Sequence, residues 1–207
     1  MSYIATHGTH VLQLAGQHIE IVVAALIAAL AIALPLGITS TRRPRIGLWL
    51  LGALGAIYTI PSLALLAILV QLFGLGVLPI FVALVAYGQF MLVRNIVAGI
   101  HGIDPALLDA ARGVGMTERQ LLLRVELPLA LPVIVGGIRI AVVAMIALAT
   151  LGGYVGAGGL GSLIFLGLTI HHNDMIVAGS LAASLLAIAA DGTLRLAERA
   201  VSRATNA

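Results

Sequence analysis

The sequence predicts an all-α integral membrane protein with about five transmembrane helices, N-terminus outside and C-terminus inside. Three observations predict it. Of the 207 residues, 61% are hydrophobic and 9% charged, with mean hydropathy +1.14, whereas soluble domains carry about 25% charged residues. The apolar residues form continuous runs close to the ~20 residues a helix needs to cross ~30 Å of hydrocarbon. Those runs do not alternate over ten-residue segments, as barrel strands would. Composition thus excludes a soluble globule and a disordered chain. No polar stretch is long enough for a second domain, so residues 1–207 read as one transmembrane domain.

Residues 19–38 form the first span, with Glu20 at its edge. Residues 46–93 hold no charged residue and are too many for one crossing. They divide at Gly74, Leu75 and Gly76, with Pro79 just beyond, giving a second span over 46–72 and a third over 77–100. The fourth is 129–151 and the fifth 174–190. Residues 1–18 contain no Arg or Lys, so they lack the basic region of a signal peptide and the first span is expected to be retained. Residues 152–173 include an apolar stretch too short to cross, which predicts an outer re-entrant or interfacial segment.

Arginine placement sets the orientation. Arg42, Arg43 and Arg45 follow the first span; Arg94, Arg112, Arg119 and Arg124 follow or end the third; Arg195, Arg199 and Arg203 follow the fifth. Basic residues favour the cytoplasmic side. Arg139 alone lies inside a span, and a snorkelling side chain near the inner interface is favoured over a functional charge.

There is no cysteine, so no disulfide and no thiolate metal site. There is also no lysine, so no Walker A loop; any ATP and Mg must sit on another chain. Gly156, Gly158, Gly159 and Gly161 fit a dinucleotide fingerprint, but a membrane span replaces the strand that motif needs. Tight turns with close backbone packing, at an outer gate, are the better reading. His171 and His172 are adjacent rather than one helical turn apart, and no metal site is expected. Asp104, Asp109, Glu118 and Glu126 are expected in an exposed loop, with no nucleophile and base paired in a pocket; no catalytic residue is assigned.

Residues 101–128 have a different texture. Asp104 with Pro105 opens a short helix, Gly113 and Gly115 end it, and Thr117 with Gln120 forms a capping box for a second. Pro128 marks the handover to the fourth span. Ala110 and Ala111 allow close approach of another backbone, which suits a docking peg for a cytoplasmic partner. A plain solvated connection is an equal alternative on these grounds, although loops this long are commonly functional.

Asp109, Ala110, Ala111, Gly115, Val125, Leu127 and Pro128 resemble the EAA loop of ABC-importer permeases: Glu-Ala-Ala, three residues, Gly, nine residues, Ile, one residue, Leu-Pro. All spacings match, with Asp for Glu and Val for Ile. The stretches at 60–66, 125–132 and 156–161 resemble the osmoprotectant branch, permeases for glycine betaine, choline and carnitine. The resemblance covers nearly the whole chain. It implies a MetI-like, type I importer permease fold in a prokaryotic cell membrane. It also implies a coupling surface, at Asp109, Ala110, Ala111, Arg112, Gly113, Gly115, Met116, Leu127 and Pro128, for a cytoplasmic ATPase subunit. A second permease subunit, identical or different, and an extracytoplasmic substrate-binding protein complete the expected partners; nucleic acid is not among them.

Within a transporter, Tyr58, Thr59, Pro61, Ser62 and Gln89 become candidates for the pathway, with Gly156, Gly158 and Gly159 for its gate. Alone, Pro61 reads as an ordinary kink. The nine aromatic residues look scattered in sequence, so tight recognition of a quaternary ammonium ion is expected on the binding protein rather than here. Alternatives are a permease for another small solute, such as the amino acid methionine, or a stand-alone secondary transporter. The latter calls for ionisable residues within spans and for internal repeats, and neither is visible.

Overall fold

The computed structural model describes residues 2–205. Helix α1 (Ser2–Arg42) is followed by α2 (Pro44–Thr59), α3 (Ser62–Phe73), α4 (Val77–His101) and the short α5 (Pro105–Gly113). Then come α6 (Glu118–Leu121), a π-helical turn (Leu122–Glu126), α7 (Leu127–Ala149), a 3₁₀ segment (Thr150–Val155), α8 (Gly161–Thr169) and α9 (Asn173–Thr205). Four helical stretches are long and apolar enough to cross a membrane, and the bent pair α2–α3 makes a fifth candidate.

Helix α4 is the centre, packed by α1, α7, α2 and α3. The α1 side of this contact is a seam of small residues. Ala25, Ala29 and Ala33, one every four residues, are completely buried, and a Cβ on Gly37, the next in the series, would overlap Ile96 of α4. In lipid, helices gain little from burying apolar area, so close backbone approach at small residues drives their association.

Two ends of the bundle can be told apart without reference to a membrane. At one, Gly76 N–H donates to Val155 O at 2.8 Å, and Val11 and Leu14 of α1 pack with Leu160, Leu163 and Met175. At the other, Arg42 meets Glu126. We call these the glycine end and the arginine end. Pro44 starts beside the arginine end and Gly76 sits at the glycine end, so α2 and α3 together traverse the bundle and form a broken span rather than a hairpin.

Several sequence expectations need correction. The second span, read as continuous over 46–72 with a kink, is broken at Ile60 and Pro61, and the two halves diverge by 93°. Both residues are extended, with ψ near 130°, because the residue before proline avoids the helical region. The carbonyl this frees is not orphaned: Tyr87 Oη donates to Ile60 O. The helix carrying the first span starts before residue 19, at Ser2, with a bend at His7. The helix carrying the fifth continues past residue 190 to Thr205. Arg139 does not snorkel freely: it pairs with Asp191 at 3.3 Å and Glu198 at 3.1 Å, both on α9.

The segment 152–173 is held by close backbone packing. A Cβ on Gly161 would overlap the Thr150 carbonyl, and one on Gly153 would overlap the Gly161 backbone. Backbone cannot yield as a flexible side chain does. Gly161→Val should therefore destabilise the solubilised protein by roughly 1–3 kcal/mol, the range for overpacking. Gly52→Val, in α2 where nothing lies within 4 Å of the added Cβ, should cost less. Thermal unfolding in detergent checks the pair, and equal melting temperatures would refute the packing argument.

Candidate functional site

The loop at the arginine end is built as the sequence predicts, with one refinement. Asp104 caps α5 by accepting from Ala106 N–H at 2.9 Å. The helix closes in a Schellman arrangement: Met116 N–H donates to Ala111 O at 3.2 Å and Gly115 N–H to Arg112 O at 2.9 Å. Only Gly115 is left-handed, with φ +84°; Gly113 stays in the helix, correcting its expected role as a second terminator. The capping box at Thr117 and Gln120 is complete. On α5, Asp109, Ala110 and Arg112 are exposed while Ala111 is buried. Bulk at Ala111 would therefore disturb the loop's own packing as well as any docking face.

Glu126 was expected in an exposed loop, and the structure overturns that. It is 1% exposed and accepts from both terminal nitrogens of Arg42, at 3.0 and 2.5 Å. The π turn places it there. Leu127 N–H reaches back five residues to Leu122 O, and Pro128 has no N–H to donate. In regular helix its ring would clash with the carbonyl four residues earlier, so the widened turn accommodates Pro128 and rotates Glu126 toward α1. From Arg42 the charges continue to Glu118 at 3.7 Å, from Glu118 to Arg112 at 3.6 Å, and from Arg112 to Asp109 at 3.4 Å. This chain ties the loop to α1 and to the start of α7. Its outer links are exposed and weak; the Arg42–Glu126 link is bidentate and buried on the Glu126 side, hence stronger.

At the glycine end, Gly156, Gly158 and Gly159 all have positive φ, which suits glycine. The turn they make is clasped by α1: Gly159 N–H donates to Gln17 Oε1 at 3.2 Å. The neighbouring His18 is 1% exposed, with Nε2 at 3.0 Å from Ile146 O of α7. Sequence reasoning missed Gln17 and His18 because it placed residues 1–18 in a tail. A signal was present in Val11, Leu14 and His18, which lie at helical spacing and share the buried face.

The mid-bundle candidates separate. Tyr58, Thr59 and Pro61 are exposed at the α2–α3 break, with Ser62 half-buried. Gln89 is not beside them: it is buried, its Nε2 donating to Ala29 O at 3.1 Å, so it fastens α4 to α1 and lines no opening here. The aromatic residues are not scattered either. Tyr58 lies 5.9 Å from Tyr87 and 5.2 Å from Phe90 by ring centroids, with the Arg94 guanidinium 5.9 Å above Phe90. Tyr154 and Phe165 pair at 5.5 Å. No cluster of three or more His, Cys, Asp or Glu that could hold a metal occurs among the described residues.

Removing Arg42 leaves Glu126 buried without its partner. Breaking a fully buried pair costs about 3–5 kcal/mol. Because the Arg42 side chain keeps 34% exposure, Arg42→Ala should fall below that range, at roughly 2–3 kcal/mol. Arg42→Met with Glu126→Leu together should recover most of the loss. A double-mutant cycle in detergent unfolding measures this, and additive losses would refute the pairing.

Comparison with known proteins now places this geometry. Residues 19–203 match the family model described as binding-protein-dependent transport system inner membrane component. The carnitine transport permease protein OpuCB of Listeria monocytogenes is 37% identical, over 99% of this chain and 96% of its own length. The choline transport system permease protein OpuBB of Bacillus subtilis is 38% identical, over 99% and 94%. The osmoprotectant import permease protein OsmW of Salmonella typhimurium is 39% identical, over 93% and 92%. Among solved structures, a chain of the inward-facing MetNI methionine ABC transporter superposes with TM-score 0.82 at 20% identity, covering 92% of this chain and 95% of that one; at that identity the likeness is one of fold. The chain belongs to the family of binding-protein-dependent transport system inner membrane components.

Proposed function

We propose that this chain is the permease subunit of an ATP-driven importer for a compatible solute such as glycine betaine, choline or carnitine. One observation carries the substrate class: the similarity to osmoprotectant permeases runs at 37–39% identity along nearly the full length. The chain carries no lysine for a Walker loop, so ATP and Mg belong to a partner ATPase. A second permease subunit, of this sequence or another, completes the pathway, and a binding protein delivers the solute.

In this reading the arginine end is cytoplasmic, because arginines concentrate there and are absent from residues 74–76 and 152–173. The α5 helix and its Gly115 terminus then dock on the ATPase, and a push on the loop reaches α1 and α7 through Arg42 and Glu126. The glycine end faces the binding protein. Tyr58, Thr59, Pro61 and Ser62 border the pathway at the broken span, where non-helical backbone is tolerated because it lines a cavity. A lining with so little charge suits passage without tight holding, so affinity is set on the binding protein.

Two experiments test this. Gly115→Asp puts a side chain at a left-handed position, costing about 1–2 kcal/mol locally. It should abolish binding-protein-dependent uptake of choline or glycine betaine into vesicles while the protein still inserts; normal uptake with normal ATPase copurification would refute the docking role. Independently, a reporter fused near Glu118 should read cytoplasmic and one near Asn173 external. An external signal at Glu118 would overturn the orientation and the docking with it.

A further inference from the structure

The glycine end carries an open cavity of about 650 Å³, lined by Gly153, Tyr154, Ser162, Phe165, Leu166 and Thr169 among others. We propose that this cavity is a way-station for the quaternary ammonium head of the solute, with Tyr154 and Phe165 as its two aromatic walls. The inference rests on the importer reading above and names where, on this subunit, the solute is first met.

The two rings are the first argument. Their centroids are 5.5 Å apart and their planes meet at 52°, and both rings line the same cavity. A ring face attracts a cation through its quadrupole, and quaternary ammonium ions are recognised in this way. No charged residue lines the cavity, so no guanidinium competes for the rings and no carboxylate traps the cation. The volume falls within the range of small-molecule sites.

The pair is also built on fixed backbone. Gly153, next to Tyr154, packs directly on Gly161, and Gly161 on Thr150. These contacts set the 3₁₀ segment against the start of α8, where Phe165 follows Gly161 by one helical turn. Tyr154 is 66% exposed, so its attraction is that of a wet, exposed ring. Such a site delays a solute without holding it, as a pathway requires.

The other aromatic group, Tyr58, Tyr87 and Phe90, does not offer this. Tyr87 is buried, the Arg94 cation already sits over Phe90, and the adjoining cavity measures only about 10 Å³.

The test uses the complete transporter, with its ATPase and binding protein, reconstituted in vesicles. If wild type imports none of choline, glycine betaine and carnitine, the substrate reading fails and the site falls with it. Where choline is imported, Tyr154→Ala and Phe165→Ala should each lower the maximal rate about two- to fivefold, the loss expected for an exposed cation–π contact. Tyr154→Phe, which returns the ring face, should recover rate relative to Tyr154→Ala. A second readout does not depend on turnover. In the full-length permease purified on its own, Tyr154→Trp combined with Trp49→Phe leaves a single indole per chain, at the cavity, since the chain has one tryptophan. Its fluorescence should respond to choline and not to dimethylbutanol, the uncharged carbon isostere. Undiminished rates in both alanine variants, or equal responses to the two probes, overturn the site even while transport itself is normal.

Discussion

The constraint on which this structure depends is that hydrocarbon offers its helices no hydrophobic reward for finding one another. Lipid tails are as apolar as leucine, so association must come from close packing and from the few polar contacts available. The seam of Ala25, Ala29 and Ala33, continued by Gly37 against Ile96, answers that constraint. It lets α1 approach α4 closely enough for Gln89 to reach the Ala29 carbonyl. The same rule recurs where Gly99 of α4 meets Ala130 and where Gly137 of α7 meets Asn95. Large residues such as Trp49, Leu48 and Leu12 are left facing outward, where in water they would be a liability and in lipid they are not.

The two ends answer a different problem: irregular backbone must be satisfied. At the glycine end a Gln17 carbonyl and close glycine contacts hold a turn that would otherwise lack partners. At the arginine end the π turn before Pro128 sacrifices regular helix geometry and gains a buried, bidentate ion pair. π turns are rare and concentrate at functional positions. This one joins the loop to the first and fourth spans at once.

Much of this was legible in the sequence. Charge-free runs gave the crossings, arginines distinguished the ends, and Asp104, Gly115, Thr117 and Gln120 gave the architecture of the loop, because caps and turns are set by residues close in sequence. What was not legible depended on distant partners. Glu126 reads as a loop carboxylate until Arg42, 84 residues away, is brought beside it. Gln89 reads as a polar lining residue until α1 covers it. Tyr58 looks separate from Tyr87 and Phe90 until α2 packs on α4 and brings it beside them. The helical extensions of α1 and α9 were missed for a simpler reason: span length was read from hydropathy, and a helix continues beyond the hydrocarbon wherever it still has something to pack on.

Helices α1, α4 and α7 each run between the two ends. Helix α1 clasps the glycine turn through Gln17 and holds Glu126 through Arg42, and 25 residues of helix at about 1.5 Å each separate those contacts by roughly 37 Å. Within that stretch Pro35 forgoes its backbone bond to Ala31 O, and two hydroxyls bond back to the chain one turn earlier: Thr39 donates to Pro35 O and Ser40 to Leu36 O. A further connection between the ends, α2–α3, is broken at Pro61 and turns by 93°, so a displacement along α2 is not carried on along α3. A force applied at the loop therefore has continuous helical routes to the far turn through α1, α4 and α7 and a compliant one through the broken span. That asymmetry suits an importer in which the unbroken helices carry the coupling movement while the broken span yields around a passing solute.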